Sequence, residues 1–441
     1  MLNQAVLLTT AKNLCGMRRG NFAACCLRRL LSFAVKAKLF PPPASQANQT
    51  IRWRNKGTQA IHITTINGSV EIRRRIYWAN QYGCCARLDT WLGVTGRYSQ
   101  GVREMVCRIG LDSSYRKAAD DLRRFSQITL SYQSLRKVFQ GEGQKVRIAR
   151  RTGELAPAFK AEQCRVNANK PTCVITGADG FQVPLITDKE KRKRRVKVTQ
   201  RRTKLRQKGH ALRPLPKRPR GADQHWKEAK LVTFYDPSGR YQHTAATTGD
   251  HKVLGQIMRR EAAKLRLDKA DRKYSVSDGA RWIHRQYSRQ LPMLDAMILD
   301  YYHFRDHSIA CSKSLYGEGT TEARQWRKSF CRTMLQSGPL EALTELAVLT
   351  KFHRGHKRKS LQSLHGYIAR RTEMLDYPHY LAEGFQIGSG PTESQCKCLT
   401  SRLKGRGRRW NRNAIDAHLA LSCLQSNSGQ WTEYWPKASM P

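Results

Sequence analysis

Acidic residues are scarce in this chain of 441 residues: 33 Asp and Glu stand against 81 Lys and Arg, and the first acid is Glu71. The formal net charge is +48, and so many positive side chains repel one another in a compact fold. A polyanionic partner relieves this repulsion, so we expect the protein to bind nucleic acid. Ribosomal and chromatin-type proteins are also basic, but they are usually smaller or poorer in tryptophan, and this chain has nine Trp.

The chain also lacks any run of about 20 apolar residues, the length that a membrane-spanning helix needs. It has no Cys-x-x-Cys motif among its 13 cysteines, which occur as the adjacent pairs Cys25-Cys26 and Cys84-Cys85, as Cys396-x-Cys398, or singly. This pattern is typical of reduced, buried thiols in a cytoplasmic protein rather than of a disulfide scaffold. Two adjacent thiolates fit one tetrahedral zinc site poorly, so we expect no zinc. Because the sequence has no apolar run long enough to span a bilayer, we also expect no membrane partner.

Residues 1–50 form a basic leader or arm without a single acid. Its segment CCLRRLLSFAVKAKLFPPP is typical of a short basic amphipathic helix that stops at the three prolines. Three interpretations remain: an arm that contacts DNA, an unstructured leader, or a targeting peptide.

The pattern of residues 51–160 predicts an N-terminal DNA-binding region. An alternating stretch around Asn67-Gly68 indicates a β-hairpin, and a helix is expected from Ser99 to about Ile109. Two further short helices, Tyr115–Phe125 and Ser131–Phe139, follow across a tight turn.

These two helices predict a helix-turn-helix over about 112–141. Ser113 and Ser131 are candidate N-caps, and Gly141 is expected just beyond the second helix. The exposed face of the second helix would then carry the DNA-reading side chains Gln133, Arg136 and Lys137. An ordinary helical hairpin with solvated charges is the alternative.

Residues 161–305 carry an element order that predicts an α/β fold, a mixed sheet flanked by helices. A strand at Thr172–Thr176 comes first, and two strands follow around the turn Asp236–Gly239. A helix from Asp250 to Leu265, a strand, a helix and the strand Ala296–Leu299 complete the order β-β-β-α-β-α-β.

Three acids stand at places in this order where side chains can converge. Asp179 comes just after the first strand, Asp278 after the fourth strand, and Glu393 near the start of a late helix. Each also has a plainer interpretation: Asp179 as the cap of a turn, Asp278 as the N-cap of the next helix, and Glu393 as a favourable first-turn acid after Pro391.

Carboxylate oxygens are the ligands that Mg²⁺ prefers, and two such ions can stabilise the attacking and leaving oxygens of a phosphoryl transfer. We therefore expect Asp179, Asp278 and Glu393 to be both catalytic and metal-binding, with two Mg²⁺ ions that Mn²⁺ can replace. Asp300 ends a neighbouring strand and is a further candidate ligand. His303 and His307, one turn apart, are more simply explained as a packed or DNA-facing helix.

Basic segments flank the expected site. The tract Lys189–Arg220 holds 16 Lys or Arg and one acid, and we expect it to be disordered alone and to lie on DNA near the site. Lys397, four residues after Glu393, is either a surface ion pair or a phosphate contact. Trp410 offers a ring for stacking on an unpaired base. The candidate DNA-binding residues here are Lys191, Arg192, Lys193, Arg194, Arg195, Lys397, Arg402, Lys404, Arg406, Arg408, Arg409 and Trp410.

The last part of the chain is mostly helical. Leucine, isoleucine and alanine recur at helical spacing over residues 306–385, which predicts a helical subdomain inserted before the helix of Glu393. Residues 386–426 are expected to hold that helix and a closing helix, Ala414–Leu424, before a tail at 427–441.

The segments SSYRKAADDL, ITGADGFQVPL, VSDGARWI, ILDYYHFRDH and IGSGPTESQCKCLTSRLKGRGRRWN occur in this order between residues 60 and 435. In this combination the chain resembles a DDE transposase of a bacterial insertion sequence, close to the Kra group. The resemblance implies a ribonuclease H-like core, the catalytic triad Asp179, Asp278 and Glu393, and cutting and joining of transposon ends. It also implies DNA as partner, a homo-oligomer, and a cytoplasmic, nucleoid-associated location.

Two departures accompany the resemblance. Many relatives carry paired cysteines like a zinc knuckle before the helix-turn-helix, whereas Cys84 and Cys85 are adjacent here. The first 50 residues match no pattern of the family. Two rival functions therefore remain: a catalytically inactive DNA-binding derivative of a transposase, and another ribonuclease H-like nuclease that acts on RNA–DNA hybrids or junctions.

Overall fold

The computed structural model describes residues 52–165, 170–186, 188–212, 225–405, 408 and 410–435; at 91, 188–191, 194 and 225 it describes the secondary structure alone. The predicted leader at 1–50 lies outside these residues, as does the end of the predicted tail. The chain forms two compact units, one ending at Thr152 and resuming at Trp431, the other Gly153–Gln430. No helix in the described part is long and apolar enough to cross a membrane.

The first unit opens with the predicted β-hairpin, which is confirmed. Its two long strands pair antiparallel and meet across the two-residue connection Ile66-Asn67. Gly68 has φ +107°, a conformation that only glycine adopts without strain, and it therefore fixes the turn. The sheet consists of β1 (Arg54–Thr65), β2 (Gly68–Ala79) and β3 (Gly83–Cys85).

Four helices follow: α1 (Arg87–Trp91), α2 (Gln100–Asp112), α3 (Tyr115–Ser126) and α4 (Tyr132–Thr152). Serine side chains accept a backbone N–H at three of the starts. Ser99 caps α2, Ser114 caps α3, and the Oγ of Ser131 accepts from the N–H of Ser134 at 3.0 Å. The expectation for Ser113 was therefore wrong by one residue, because Ser113 already terminates α2.

The helix α4 extends well past Gly141, where we expected it to end. Tertiary contacts with α2 explain the difference, since they stabilise turns that a glycine alone would weaken. The buried carboxylate of Glu142 accepts from the Arg103 guanidinium of α2 at 2.7 Å. Beside it, the ring of Phe139 fills the space left by Gly110, where a Cβ would overlap the ring.

The second unit is built on a five-stranded mixed sheet, and the predicted strand and helix order is observed with one added helix. The spatial order is β6-β5-β4-β7-β8; the β6–β5 and β5–β4 pairs are antiparallel, and the β4–β7 and β7–β8 pairs are parallel. The strands are β4 (Cys173–Leu185), β5 (His225–Tyr235), β6 (Gln242–Thr247), β7 (Arg272–Ser277) and β8 (Ala296–Leu299).

The added helix, α5 (Asp188–Gln207), occupies most of the basic tract that we expected to be disordered. Neither Pro nor Gly occurs between its ends, and Lys and Arg are good helix formers, so local propensity is sufficient to favour a helix. No side chain described within α5 is buried. The remainder of the tract, from residue 213 on, lies outside the described residues.

Helices cover both faces of the sheet. Val174, Ala178 and Phe234 pack on one face against α6 (His251–Leu265) and α7 (Arg281–Gln290). Phe181 and Leu231 pack on the other face against α13 (Gly390–Thr400) and α14 (Arg412–Ser426). The second unit is thus a mixed α/β fold with its sheet flanked by helices.

The segment between β8 and α13 is helical as predicted, but it begins at Tyr301 rather than at residue 306. It holds α8 (Tyr301–Tyr316), α9 (Thr321–Gln336), α10 (Pro339–Phe352), α11 (Gly355–Ala369) and α12 (Tyr377–Ala382). Their buried residues form one cluster with Ile175, Val276 and Ile298 of the sheet. These helices therefore share a hydrophobic core with the sheet, and the predicted helical subdomain at 306–385 stays a prediction.

The chain's last described element is α15 (Gln430–Tyr434). Trp431 and Trp435 are buried in the first unit, and the indole N–H of Trp431 donates to Glu104 Oε1 at 2.8 Å. The predicted tail is thus in part a packed helix.

Candidate metal and phosphoryl-transfer site

Asp179 lies inside β4, not after it as we predicted. The strand continues to Leu185 because it pairs antiparallel with β5 over its whole second half, with Asp179 opposite Leu231. The turn-cap interpretation of Asp179 is therefore wrong. Its half-buried side chain accepts the Gly180 N–H through Oδ1 at 2.6 Å.

Strand register places three aspartates at one level of the sheet. Thr176 of β4 pairs with Ser275 of β7, so three residues further on each strand come Asp179 and Asp278. Ser277 of β7 pairs with Leu299 of β8, so the next residues are Asp278 and Asp300. Neighbouring strands lie about 4.8 Å apart, so these acids lie side by side at the level where β7 and β8 end and β4 continues.

Asp278 follows β7 as predicted, but it is not the N-cap of the next helix. Its Oδ1 accepts the Ala280 N–H at 2.9 Å in the turn before α7, and Ala280 itself is the cap residue. Burial raises the pKa of the Asp278 carboxyl, and the neighbouring charge of Asp179 raises it further. A carboxylate held this way gains from a nearby cation.

Asp300 is fully buried and serves as the N-cap of α8. Its Oδ2 accepts the backbone N–H of His303 at 3.1 Å and lies 2.7 Å from His303 Nδ1, while its Oδ1 accepts the Ser389 N–H at 2.7 Å. Burial would raise the pKa of Asp300, but the hydrogen bonds from His303 and Ser389 outweigh it and lower the pKa. The hydrogen bond between the His303 ring and Asp300 Oδ2 raises the pKa of His303.

Glu393 lies in the first turn of α13, where its N–H donates to the carbonyl of Ser389 at 3.1 Å. The helix can approach β4 closely because Gly177 has no side chain; a Cβ there would overlap Thr392. Ser389, tied to Asp300, thus sets the start of the helix that carries Glu393.

The three side chains Asp300, His303 and Glu393 form a compact group. One ligand atom from each lies within 4.8 Å of the others. Much of this closeness comes from the contact between Asp300 Oδ2 and His303 Nδ1, which lie 2.7 Å apart, and Asp179 and Asp278 do not belong to the group at this distance. His307, one turn after His303, stacks instead on the ring of Tyr367 at 3.8 Å between centroids.

Residues 45–212 match the sequence profile of an uncharacterised protein family (UPF0236). The match includes Asp179 and ends before Asp278 and Glu393, so it covers residues 45–152 of the first unit and, in the second unit, β4 and α5. No curated protein matches the chain.

Sequence reasoning missed the partner of Asp179 on α13. Cys396 donates its thiol hydrogen to Asp179 Oδ2, with Sγ and Oδ2 2.9 Å apart. Burial raises the pKa of the Cys396 thiol, and the charge of Asp179 adds to the rise, so the thiol keeps its proton. The spacing Glu393-x-x-Cys396 puts both residues on one helix face and was the available signal.

Two of the predicted DNA contacts are wrong. Arg402 is 3% exposed and Trp410 is 7% exposed, so neither can meet a nucleic acid directly. The Arg402 guanidinium lies 5.0 Å from the centroid of the Trp410 ring, whose N–H donates to the carbonyl of Leu403 at 3.0 Å. Trp410 packs in the core on β4 because its backbone N–H donates to Pro184 O at 3.2 Å.

Other predicted contacts remain accessible. The side chains of Arg192, Lys193 and Arg195 on α5 are exposed, as are Lys404 and Lys397. Lys397 Nζ lies 4.0 Å from Glu393 Oε2 with 81% of its side chain exposed, which leaves both of its interpretations open. Arg408 is half-buried and donates to Arg402 O at 2.8 Å. Arg406 and Arg409 lie outside the described residues, as do the side chains of Lys191 and Arg194.

In the first unit, Gln133, Arg136 and Lys137 are exposed on α4, as predicted. They follow the αL residue Gln127 and the buried Ile128 in the connection between α3 and α4. The helix pair that would read DNA stays a prediction.

Proposed function

We propose that this protein is a DDE-type DNA transposase that cleaves the ends of an insertion sequence and joins them to target DNA. The proposal rests chiefly on one observation: Asp179, Asp278 and Asp300 lie side by side on adjacent strands, and a carboxylate oxygen of Glu393 lies within 4.8 Å of a ligand atom of Asp300. The Kra-group resemblance, which includes Asp179, Asp278 and Glu393, supports the same assignment.

The fold is compatible with this function. The sheet has three antiparallel strands followed by two parallel ones, and helices cover both faces. We propose that it forms the ribonuclease H-like core that the resemblance implies, with the helices α8–α12 as the insertion. We extend the proposal to a helix-turn-helix formed by α3 and α4.

The donor set fits a hard divalent cation. Carboxylates of Asp179, Asp278 and Glu393 would hold it, and a cation would offset both causes of the raised pKa of Asp278, its burial and the neighbouring charge of Asp179. When bound, two Mg²⁺ ions, or Mn²⁺ in their place, supply stabilisation of the attacking and leaving oxygens at phosphorus. Asp300 already accepts three hydrogen bonds from the protein, so its main part is to fix α8 and the start of α13.

Exposed cations would hold the DNA. Arg192, Lys193 and Arg195 lie on a helix that begins three residues after β4 ends, and the net charge of +48 favours any phosphate backbone. Binding of this kind weakens steeply with salt. Because two ends are joined in transposition, we propose that the protein acts as a homo-oligomer, in the cytoplasm at the nucleoid.

The central test is Mg²⁺-dependent strand cleavage of the DNA that flanks the coding sequence, with wild-type protein and Asp179→Asn. The variant removes one ligand charge, and we expect a loss of about thousandfold or more. Asp268→Asn is the matched control, since Asp268 is an exposed acid of the same unit paired with Lys269. Full activity in Asp179→Asn would falsify the assignment.

The same assay separates the rivals. A transposase cleaves its own end DNA in preference to an RNA–DNA hybrid or a four-way junction of equal length. Preference for hybrid or junction identifies another nuclease. Binding without cleavage of any of the three, at saturating Mg²⁺ and Mn²⁺, identifies an inactive derivative.

A further inference from the structure

Cys396 stands at the contact between α13 and β4. It lies three residues after Glu393, is 9% exposed, and its Sγ is 2.9 Å from Asp179 Oδ2. The other oxygen of this carboxylate, Oδ1, accepts from the backbone of the next residue, Gly180. One oxygen of Asp179 is therefore oriented by its own strand and the other by the helix that carries Glu393.

The helix and the strand form a firm support for this contact. Cys396 and Leu399 of α13 pack with Phe181 and Leu231 of the sheet in one buried cluster. Thr392 occupies the space that Gly177 leaves open on the same strand. The thiol thus approaches Asp179 from a fixed position, and movement of α13 would change the orientation of Asp179 and the position of Glu393 together.

We propose that Cys396 is a positioning residue, whose thiol holds the Asp179 carboxylate in the orientation that a divalent cation requires. The inference rests on the proposed function, because it assumes that Asp179 binds the metal. A group that hydrogen-bonds to a metal ligand fixes its orientation, and its loss typically weakens metal affinity by about ten- to hundredfold. A thiol is a weak donor, so we expect a smaller change.

Three substitutions separate the hydrogen bond from the packing. Cys396→Val keeps an apolar group of similar volume and removes the donor. Cys396→Ser keeps a donor and is less suited to the apolar cluster. Cys398→Ser is the control, because Cys398 is an exposed thiol two residues further on the same helix.

The measurement is Mn²⁺ binding to the full-length protein by titration calorimetry, without DNA, together with thermal unfolding of each variant. We expect Cys396→Val to bind Mn²⁺ about fivefold more weakly at a wild-type melting temperature. Cys396→Ser should bind within about twofold of wild type even if it melts lower, and Cys398→Ser should match wild type in both. A purely structural role would produce the opposite order, with Ser the more damaging change.

A spectroscopic readout is independent of metal and activity. The infrared difference between wild type and Cys396→Val isolates the S–H stretch of Cys396. A charged acceptor makes the stronger hydrogen bond, so in the Asp179→Asn background this band should move to higher wavenumber. An unchanged band would mean that the thiol does not donate to Asp179.

The outcomes distinguish the proposed metal site from the positioning role of Cys396. If wild type does not bind Mn²⁺, or if Asp179→Asn binds it equally well, the metal site itself is refuted. If wild type binds and Asp179→Asn does not, yet the Val and Ser variants of Cys396 bind alike, only the positioning role is refuted.

Discussion

The carboxyl ends of β7 and β8 carry neighbouring aspartates in opposite circumstances. Asp300, after β8, is fully buried, and its oxygens accept from His303 and Ser389, which lowers its pKa. Asp278, after β7, accepts one backbone N–H, and burial together with Asp179 raises its pKa. The hydrogen bonds of Asp300 thus come from the protein itself, whereas Asp278 keeps carboxylate lone pairs and charge that a cation could bind. Two aspartates at neighbouring strand ends can thus have different roles: Asp300 stabilises the local structure, and Asp278 is the proposed metal ligand.

Asp278→Asn should give the largest effect of the comparison. Its amide cannot replace a charged ligand, so we expect Mg²⁺-dependent cleavage to fall by about thousandfold or more. The melting temperature should stay the same or rise, because the change removes a buried charge beside Asp179. Cleavage assays and thermal unfolding of the same preparation check both halves. Retained activity, or a large loss of stability, contradicts the assignment.

Asp300→Ala should cost stability instead. The substitution leaves the N–H groups of Ser389 and His303 without their acceptor, and we expect the free energy of unfolding to fall by about 3 kcal/mol. Asp250→Ala is the matched control, because Asp250 is also an N-cap aspartate but is exposed. Loss of an exposed cap costs about 1 kcal/mol. Equal losses in urea-induced unfolding would show that the buried bond to Ser389 adds nothing.

The smallest effect is a pH dependence of stability that has the same sign at the two strand ends but falls in different pH ranges, measured by thermal unfolding with a chelator present. Asp300 raises the pKa of His303 above its ordinary value of 6.5, so this contribution is complete below that pH and is lost as pH rises through the raised pKa. Asp278, with a pKa above 3.8, destabilises the fold increasingly as pH rises from that value.

Two variants test how stability depends on pH at each strand end. The stability deficit of His303→Gln should be largest near about pH 5 and shrink towards about pH 8.5. The advantage of Asp278→Asn over wild type should also grow with pH, but in the more acidic range that begins at 3.8. If both differences from wild type changed over the same pH range, the distinction between the two strand ends would be removed.

Local patterns in the sequence predicted the elements well. The strand Ala296–Leu299, the helix predicted from Asp250 to Leu265 and the hairpin around Asn67-Gly68 all have short-range signals, and each is observed, the helix with Asp250 as its N-cap. The basic tract misled us because its charge suggested disorder, whereas its uninterrupted helix formers give α5.

Long-range partners were beyond such patterns. Asp179 proved to lie within β4 because pairing with the later strand β5 extends that strand. The thiol of Cys396 meets Asp179 across 217 residues, and Ser389 meets Asp300 across 89. Trp410 was assigned to a nucleic acid although it is buried, since a ring flanked by arginines looks alike in either setting.

The length of β4 has a further consequence. From Asp179 to the end of the strand at Leu185 there are six residues, about 20 Å at 3.3 Å each, and α5 starts shortly beyond. A hydrogen-bonded strand has a fixed length, so β4 sets the distance between Asp179 and the start of the basic helix α5. For the proposed transposase, at 3.4 Å per step of duplex, we expect this length to correspond to about six base pairs between the phosphate at Asp179 and the first phosphate that α5 contacts.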